Sequence, residues 1–385
     1  MMPLPKIERT TIARWLPALI AGAIAWVAFI VLGDTPLIRA TGMALAVVGM
    51  AGALRSMGGA LALVGALALA FSPAFWIQTG GTQSLAPLDV VGLVIAAGMF
   101  GVALLLIPSI RQRPGIALAA ALTVFSVVFL IAIGTPRSLR VTTVLAAWLI
   151  GLLIDGALAA NPRPDAIDPT TLGWRHTVGV LLILVIGIAN DPLFALFVPA
   201  VALGLFLMRA RLPIALWIGL AGVSAFGVWG IVGTYVSAIW WDFPAEQTPG
   251  IITHVPYLIA YAWHEPERWI KLIDLIAWQF TPIGLALGVI GLARLSRWHP
   301  PVGVVTMTAY GCYLLFGLCY FGEDAPVLLL PLLMIQVVWM TYAAYTFAAW
   351  LRGMLKSAAR PALIGAAAAF ALLPIVMLLR IVGVV

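Results

Sequence analysis

Charge is confined to the ends of long apolar runs along the whole chain, and this pattern limits the fold more than any other feature. The 385 residues include 21 Lys and Arg and 14 Asp and Glu, and almost all of them flank one of about thirteen apolar stretches. The flanks alternate along the chain. Lys6/Arg9/Arg14, Arg55, Arg111/Arg113, Arg209/Arg211, Arg294/Arg297 and Arg352/Lys356/Arg360 form one set, and Asp34, Asp89, Asp191, Asp242/Glu246 and Glu323/Asp324 form the other. A water-soluble domain of this size needs far more charged surface than 9 % of its residues can supply, and 63 % of this chain is hydrophobic. The pattern therefore predicts an all-α fold: a polytopic integral membrane bundle of about thirteen transmembrane helices.

The predicted spans are 16–33, 38–54, 57–76, 88–107, 116–133, 142–159, 177–189, 193–208, 212–234, 272–293, 302–320, 326–350 and 362–383. Six of them form an N-terminal helical half, residues 1–160. Residues 161–176, rich in Pro and Asp, form a connector, and residues 177–385 form a C-terminal half of about seven spans. With the N-terminus in the cytoplasm, only Arg39, Arg137, Arg140, Arg268, Lys271 and Arg380 of the 21 basic residues fall on the outer side. That excess of inner positive charge sets the orientation and places the chain in a cytoplasmic (inner) membrane. The basic start and the stretch from Leu16 to Leu32 could be a secretory signal, but Gly33-Asp34-Thr35-Pro36 offers no small-residue cleavage site, so an uncleaved first span is expected.

The net charge of +7 comes from residues at helix ends, not from a basic patch, and gives no reason to expect a nucleic-acid partner. The bilayer is the expected surrounding. Cys312 and Cys319 lie in one apolar run, roughly 10 Å apart along a helix, too far to pair. His176, His254, His264 and His299 are scattered and show no metal-ligand spacing, and no phosphate-binding or dinucleotide glycine loop is present. Small residues at four-residue spacing, Gly49 with Ala53 and Gly284 with Gly288, predict close helix packing.

The longest segment between spans, about 235–271, lies on the outer side and opens with Trp240-Trp241-Asp242-Phe243-Pro244. His254, Tyr257, Tyr261, Glu265 and Arg268 recur at helical spacing opposite Ile251, Val255, Leu258, Ile259 and Ala262. This predicts an interfacial amphipathic helix over 250–266, ended near Pro266.

Candidate reactive groups follow from the same partition. A carboxylate at a water–lipid boundary can act as a general base or hold a metal–phosphate group, so Asp34, Glu323 and Asp324, in very short outer loops, are the first candidates. A divalent metal is compatible with such acids, as is a plain solubilising role for the loops. Arg137 and Arg140 lie on the acidic side against the orientation rule; guanidinium groups match phosphate oxygens bidentately, which points to a lipid phosphate or to snorkelling toward headgroups. Asp155 is an ionisable residue inside an apolar run, near its cytoplasmic end. The segment Phe71-Ser72-Pro73-Ala74-Phe75-Trp76-Ile77-Gln78 ends a span in which Pro73 would kink the helix and Trp76 would anchor it.

A helix ending in Phe71-Ser72-Pro73-Ala74-Phe75-Trp76 followed by a polar stretch resembles the membrane glycosyltransferases of the GT-C superfamily, in particular the protein O-mannosyltransferase-like membrane proteins of unknown function. Ile188 to Pro199, Ile251 to Leu292 with His254, Tyr257 and Trp278-Gln279-Phe280, and Glu323-Asp324 to Pro331 are similar in kind, so the likeness extends over about residues 60–350. It implies transfer of a sugar from a polyprenyl-phosphate carrier to an acceptor at the outer face. Asp34 would be the base or a metal-facing acid, Glu323 and Asp324 would shape the acceptor or metal site, and Arg137 or Arg140 would hold the lipid phosphate. Trp76, Gln78, Asp242 and His254 would face the acceptor or an interface. That family carries its catalytic acid in a sizeable first outer loop, whereas here the loop runs only from Gly33 to Leu37, with Asp34 its one acid. Two other readings accompany it: a non-catalytic structural or accessory subunit bound to other membrane subunits, and a lipid transporter, which would call for more polar residues in mid-span.

Overall fold

The computed structural model describes residues 9–79, 139–160, 174–208, 213–233, 264–320, 322, 324–355 and 359–384. Every described element is a helix: α1 (Arg9–Val31), α2 (Leu37–Leu54), α3 (Gly59–Ala70), α4 (Pro73–Thr79), α5 (Leu139–Ala160), α6 (Trp174–Asn190), α7 (Val198–Leu207), α8 (Ile214–Ile231), α9 (Pro266–Trp298), α10 (Pro300–Cys319), α11 (Ala325–Leu328), α12 (Leu330–Leu355), α13 (Ala359–Phe370) and α14 (Leu372–Ile381), with short 3-10 turns at Arg55–Met57 and Pro192–Phe197. Among the described residues six helical stretches are long and apolar enough to cross a membrane, or seven if the bent pair α3 and α4 forms one span. This is the architecture of a helical membrane protein, in which helices satisfy most of their own backbone amides. The spans predicted at 88–107 and 116–133, the connector through residue 173, and the interfacial helix up to residue 263 lie outside the described residues.

Small residues set the packing. A Cβ on Gly49 would sit 2.9 Å from the Trp148 ring, and one on Gly52 would sit 2.8 Å from Trp15, so α2 closes directly onto aromatic side chains of α5 and α1. Gly151 of α5 meets Ala53 of α2 across 3.5 Å. On α9, Gly284, Gly288 and Gly291 line one stripe against Met340, Gln336 and the Trp339 carbonyl of α12. These are the close approaches expected where the surrounding solvent is as apolar as the side chains, and dispersion between backbones must hold the helices together. The centre of the bundle is α2, α3, α5 and α12, whose residues are mostly buried; α8, α9 and α13 turn large apolar side chains outward.

Charged side chains lie near the ends of the described helices, in two groups. At one end Arg55 pairs with Asp155, and the guanidinium lies 5.0 Å from the centre of the Trp15 ring. The intramembrane acid Asp155 is thus neutralised at the end of its helix. His176 and Met208 reach Gly156 at this end, and Leu363 of α13 packs at Gly58. Asp34, Arg140, Asp191 and Asp324 mark the other end.

Two elements differ from the sequence reading. Residues 57–76 are not one straight run: the helix breaks at Phe71-Ser72 and α4 leaves at 69° to α3. The predicted 272–293 span is extended at both ends: α9 runs for 33 residues, with Pro266 in its first turn. A proline is harmless in the first turn, where its missing N–H would have had no partner within the helix.

Candidate functional site

The features singled out in the sequence converge on α4. Proline cannot donate an amide hydrogen, so the chain breaks just before Pro73. The groups freed at the break are satisfied locally: Ser72 Oγ donates to the Leu69 carbonyl at 2.8 Å, and Trp76 N donates to the Ser72 carbonyl at 2.9 Å. One first-turn amide is satisfied from a distance. Ala74 N donates to Gln279 Oε1 at 2.8 Å, and both groups are buried.

Gln279 is aimed there by a kink in α9. Thr281, just before Pro282, has φ 63° and ψ 164° inside an otherwise helical segment. That region of backbone space is almost reserved for glycine, so a threonine there is strained and must be held by its surroundings. The residue before a proline is pushed out of the helical region, which supplies the local cause.

The far end of α4 is held by α5. Arg140 donates from Nε to the Gln78 carbonyl at 2.7 Å, and Thr79 Oγ1 donates to the Trp76 carbonyl at 2.7 Å. Both bonds satisfy carbonyls that have no partner within so short a helix. The Gln78 side chain points inward and is buried, with Thr143 Oγ1 2.7 Å from its Oε1. Thr143 also lies 2.8 Å from the Leu139 carbonyl, and its single proton is shared between the two acceptors. Gln78 Nε2 is buried without a partner among the described residues.

Asp34 borders α4 through Trp76. The Trp76 ring stands edge-on to Phe29 at 5.6 Å, and a Cβ on Gly33 would lie 3.2 Å from it. Gly33 N and Thr35 N both donate to the Phe29 carbonyl, which ends α1. Asp34 itself is exposed with φ 46°, a left-handed conformation that Asp tolerates better than most residues. Asp34 therefore has a structural task, reversing the chain, besides presenting a carboxylate to the outside.

Asp324 reaches α4 through the next element. It precedes α11, which packs against α4, and its carboxylate accepts from Tyr320 Oη at 2.6 Å. Among the described residues no three His, Cys, Asp or Glu side chains converge as metal ligands would. The structure thus brings Arg140 of α5 to Trp76 and Gln78 of α4, with Asp34 and Asp324 on its flanks. Arg137, Asp242, His254 and Glu323 lie outside the described residues.

No family model, curated protein or solved structure matches this chain.

One polar cluster beside this site was not singled out in the sequence. Asp191 is fully buried; its Oδ1 accepts from Leu193 N at 3.1 Å and its Oδ2 from Thr142 Oγ1 at 3.2 Å. Asn190 Nδ2 donates to Thr142 Oγ1 at 2.9 Å, and Tyr313 Oη donates to the Leu193 carbonyl at 3.4 Å. The triplet Asn190-Asp191-Pro192 carries the signal: Asp at the cap position followed by Pro marks the start of a helical turn, and a cap inside an apolar bundle has to be buried. Thr142 is two residues from Arg140, so α5 holds this cluster and α4 with neighbouring residues of its first turn.

Proposed function

We propose that this chain is a GT-C-like membrane protein of about thirteen spans, N-terminus cytoplasmic, that transfers a sugar from a polyprenyl-phosphate donor to an acceptor at the outer face of the cytoplasmic membrane. The observation that carries the reading is the convergence on α4. A bent half-helix brings its polar end to Arg140, with the loop of Asp34 on one flank and the turn of Asp324 on the other. Non-helical breaks inside a membrane bundle are tolerated where they are buried in protein or line a polar cavity, and such breaks commonly frame binding sites.

The chemistry asked of these residues is limited. Arg140 spends its Nε–H on the Gln78 carbonyl, which leaves both Nη groups of the fork to receive a phosphate. Asp34 takes the proton of an acceptor hydroxyl, the acceptor oxygen bonds to the anomeric carbon, and the bond from that carbon to the phosphate oxygen breaks. The phosphate departs with the electron pair, and its charge rests on Arg140. General-base assistance of this kind is worth roughly 10²–10⁴-fold.

The test is transfer from a radiolabelled polyprenyl-phosphate hexose in membranes containing the full chain. The expected results are transfer by the unaltered protein, a loss of about 100-fold or more in Asp34→Asn, and a raised KM in Arg140→Gln. Transfer by Asp34→Asn at the unaltered rate would remove Asp34 as base, and the absence of transfer by any form would remove the enzyme reading.

A second reading, a structural or accessory subunit, draws on α8. Phe226 and Trp229 are 68 % and 77 % exposed there, and Gly219 and Gly222 have nothing within 4 Å of where a Cβ would lie. Small and aromatic residues on one helix favour docking of another membrane helix. Stoichiometric membrane partners on purification, lost on Gly222→Leu, would favour it over the enzyme.

A further inference from the structure

A groove of about 1120 Å³ opens between α9, α12 and α13, at the Arg55–Asp155 end of the bundle and away from α4. Its floor is the buried ring of Tyr342, which packs 5.9 Å from Tyr345 and meets the edge of His299 at 6.1 Å and 82°. Phe370 of α13 forms the opposite wall, and Trp350, 57 % exposed, stands at the side. Arg294, one turn before the end of α9, is exposed at the mouth. It forms no hydrogen bond or ion pair among the described residues, and no Asp or Glu lines the groove.

These features select one kind of occupant. The walls are aliphatic and aromatic, so the bound body is apolar. The volume exceeds the roughly 300–1,000 Å³ that suits compact ligands, which favours extended chains. Among the described lining residues Arg294 is the only Lys or Arg, and Trp298 and Trp350 line the same groove with exposed indoles, the ring type that marks the boundary between headgroups and hydrocarbon. Basic pockets between membrane helices at this depth are complementary to phosphate headgroups.

We infer that this groove is a binding site for an anionic membrane phospholipid, its acyl chains along Tyr342, Tyr345 and Phe370 and its phosphate on Arg294 beside His299. The inference rests on the placement of the helices in a bilayer and not on sugar transfer, so it stands or falls separately from the site at α4.

The full chain in detergent micelles, titrated with phosphatidylglycerol or phosphatidylcholine and read by native mass spectrometry, tests it. Phosphatidylglycerol is expected to bind about tenfold more tightly than phosphatidylcholine. Arg294→Gln should weaken phosphatidylglycerol about fivefold, the worth of one basic contact near a membrane surface, and weaken phosphatidylcholine, whose phosphate charge is offset by its choline ammonium, by less. Ala369→Trp, which fills the groove from α13, should weaken both lipids. Excess inorganic phosphate should displace neither. Equal affinity for the two lipids, unchanged phosphatidylglycerol binding in Arg294→Gln, or an equal loss in Arg297→Gln, which lies outside the lining, would overturn the site. Displacement of phosphatidylglycerol by inorganic phosphate would overturn it in favour of a free-anion site.

Discussion

Arg140 of α5 donates its Nε–H to the Gln78 carbonyl at the end of α4, 2.7 Å away and across 62 residues of chain. A seven-residue helix cannot satisfy its own last carbonyls, so α4 keeps its direction only while α5 supplies this donor.

Arg140→Met should therefore destabilise the fold by about 1–3 kcal/mol, the usual cost of stranding a half-buried acceptor. Arg140→Lys should recover only part of that, because an ammonium on a flexible stem does not reproduce the fixed Nε geometry. Thermal unfolding in detergent ranks the three forms: unaltered highest, then Lys, then Met. Equal midpoints for all three would show that α4 is held from elsewhere, by Gln279 at its other end.

Asp191 presents a sharper case because it is completely buried. Asp191→Ala removes the cap on Leu193 N and one acceptor of the Thr142 hydroxyl, for a loss on the order of 2–3 kcal/mol. Asp191→Asn keeps an acceptor for Leu193 N and should lose less. Thr142→Val in each background gives the coupling between the two residues from a double-mutant cycle; a coupling near zero would mean that the 3.2 Å contact contributes nothing.

Much of this arrangement was legible in the sequence, for a physical reason: an apolar run ends where a charge or a turn residue must reach water. Expected spans 38–54, 142–159 and 302–320 agree with α2 (Leu37–Leu54), α5 (Leu139–Ala160) and α10 (Pro300–Cys319) to within a few residues. The start of α9 was hidden because Glu267, Arg268, Lys271 and Asp274 dilute its first turns. Arg268 is accommodated there by Glu265 at 2.6 Å and the Leu318 carbonyl at 2.9 Å, and neither contact can be read from hydropathy. Pro73 announced a kink in the run, but the 69° bend depends on Gln279 and Arg140, which come from helices far along the chain. The burial of Asp191 was equally out of reach, since it depends on Thr142, Asn190 and Leu193 closing around it.

The glycine stripe of α9 makes a contrasting pair of predictions. A Cβ on Gly291 would collide with the Trp339 carbonyl oxygen, a backbone atom in the buried centre of α12 that cannot step aside. Gly291→Ala should push α9 from α12 and cost about 1–3 kcal/mol or more, as overpacking does. Gly222 on α8 has nothing within 4 Å of its Cβ position, so Gly222→Ala should leave the unfolding midpoint unchanged or raise it slightly. If both substitutions behave alike, the helix spacing is not set by Gly291.

Thr281 yields a prediction of the opposite sign. Its left-handed φ of 63° places a branched side chain in a conformation that costs about 1–3 kcal/mol, and the kink it makes carries Gln279 to the Ala74 amide. Glycine adopts the same backbone shape without that penalty, so Thr281→Gly should raise thermal stability by about 1 kcal/mol, after part of the gain is lost to the greater freedom of the unfolded chain. Thr281→Ala keeps the strain and should give no gain. The partner measurement is Gln279→Leu, which leaves the Ala74 amide buried and unsatisfied and should lower stability by about 1–3 kcal/mol. In Thr281→Gly that penalty should persist, because the kink and its hydrogen bond remain. Loss of the penalty in the glycine background would show that the threonine, through its strained backbone, is what holds Gln279 against α4.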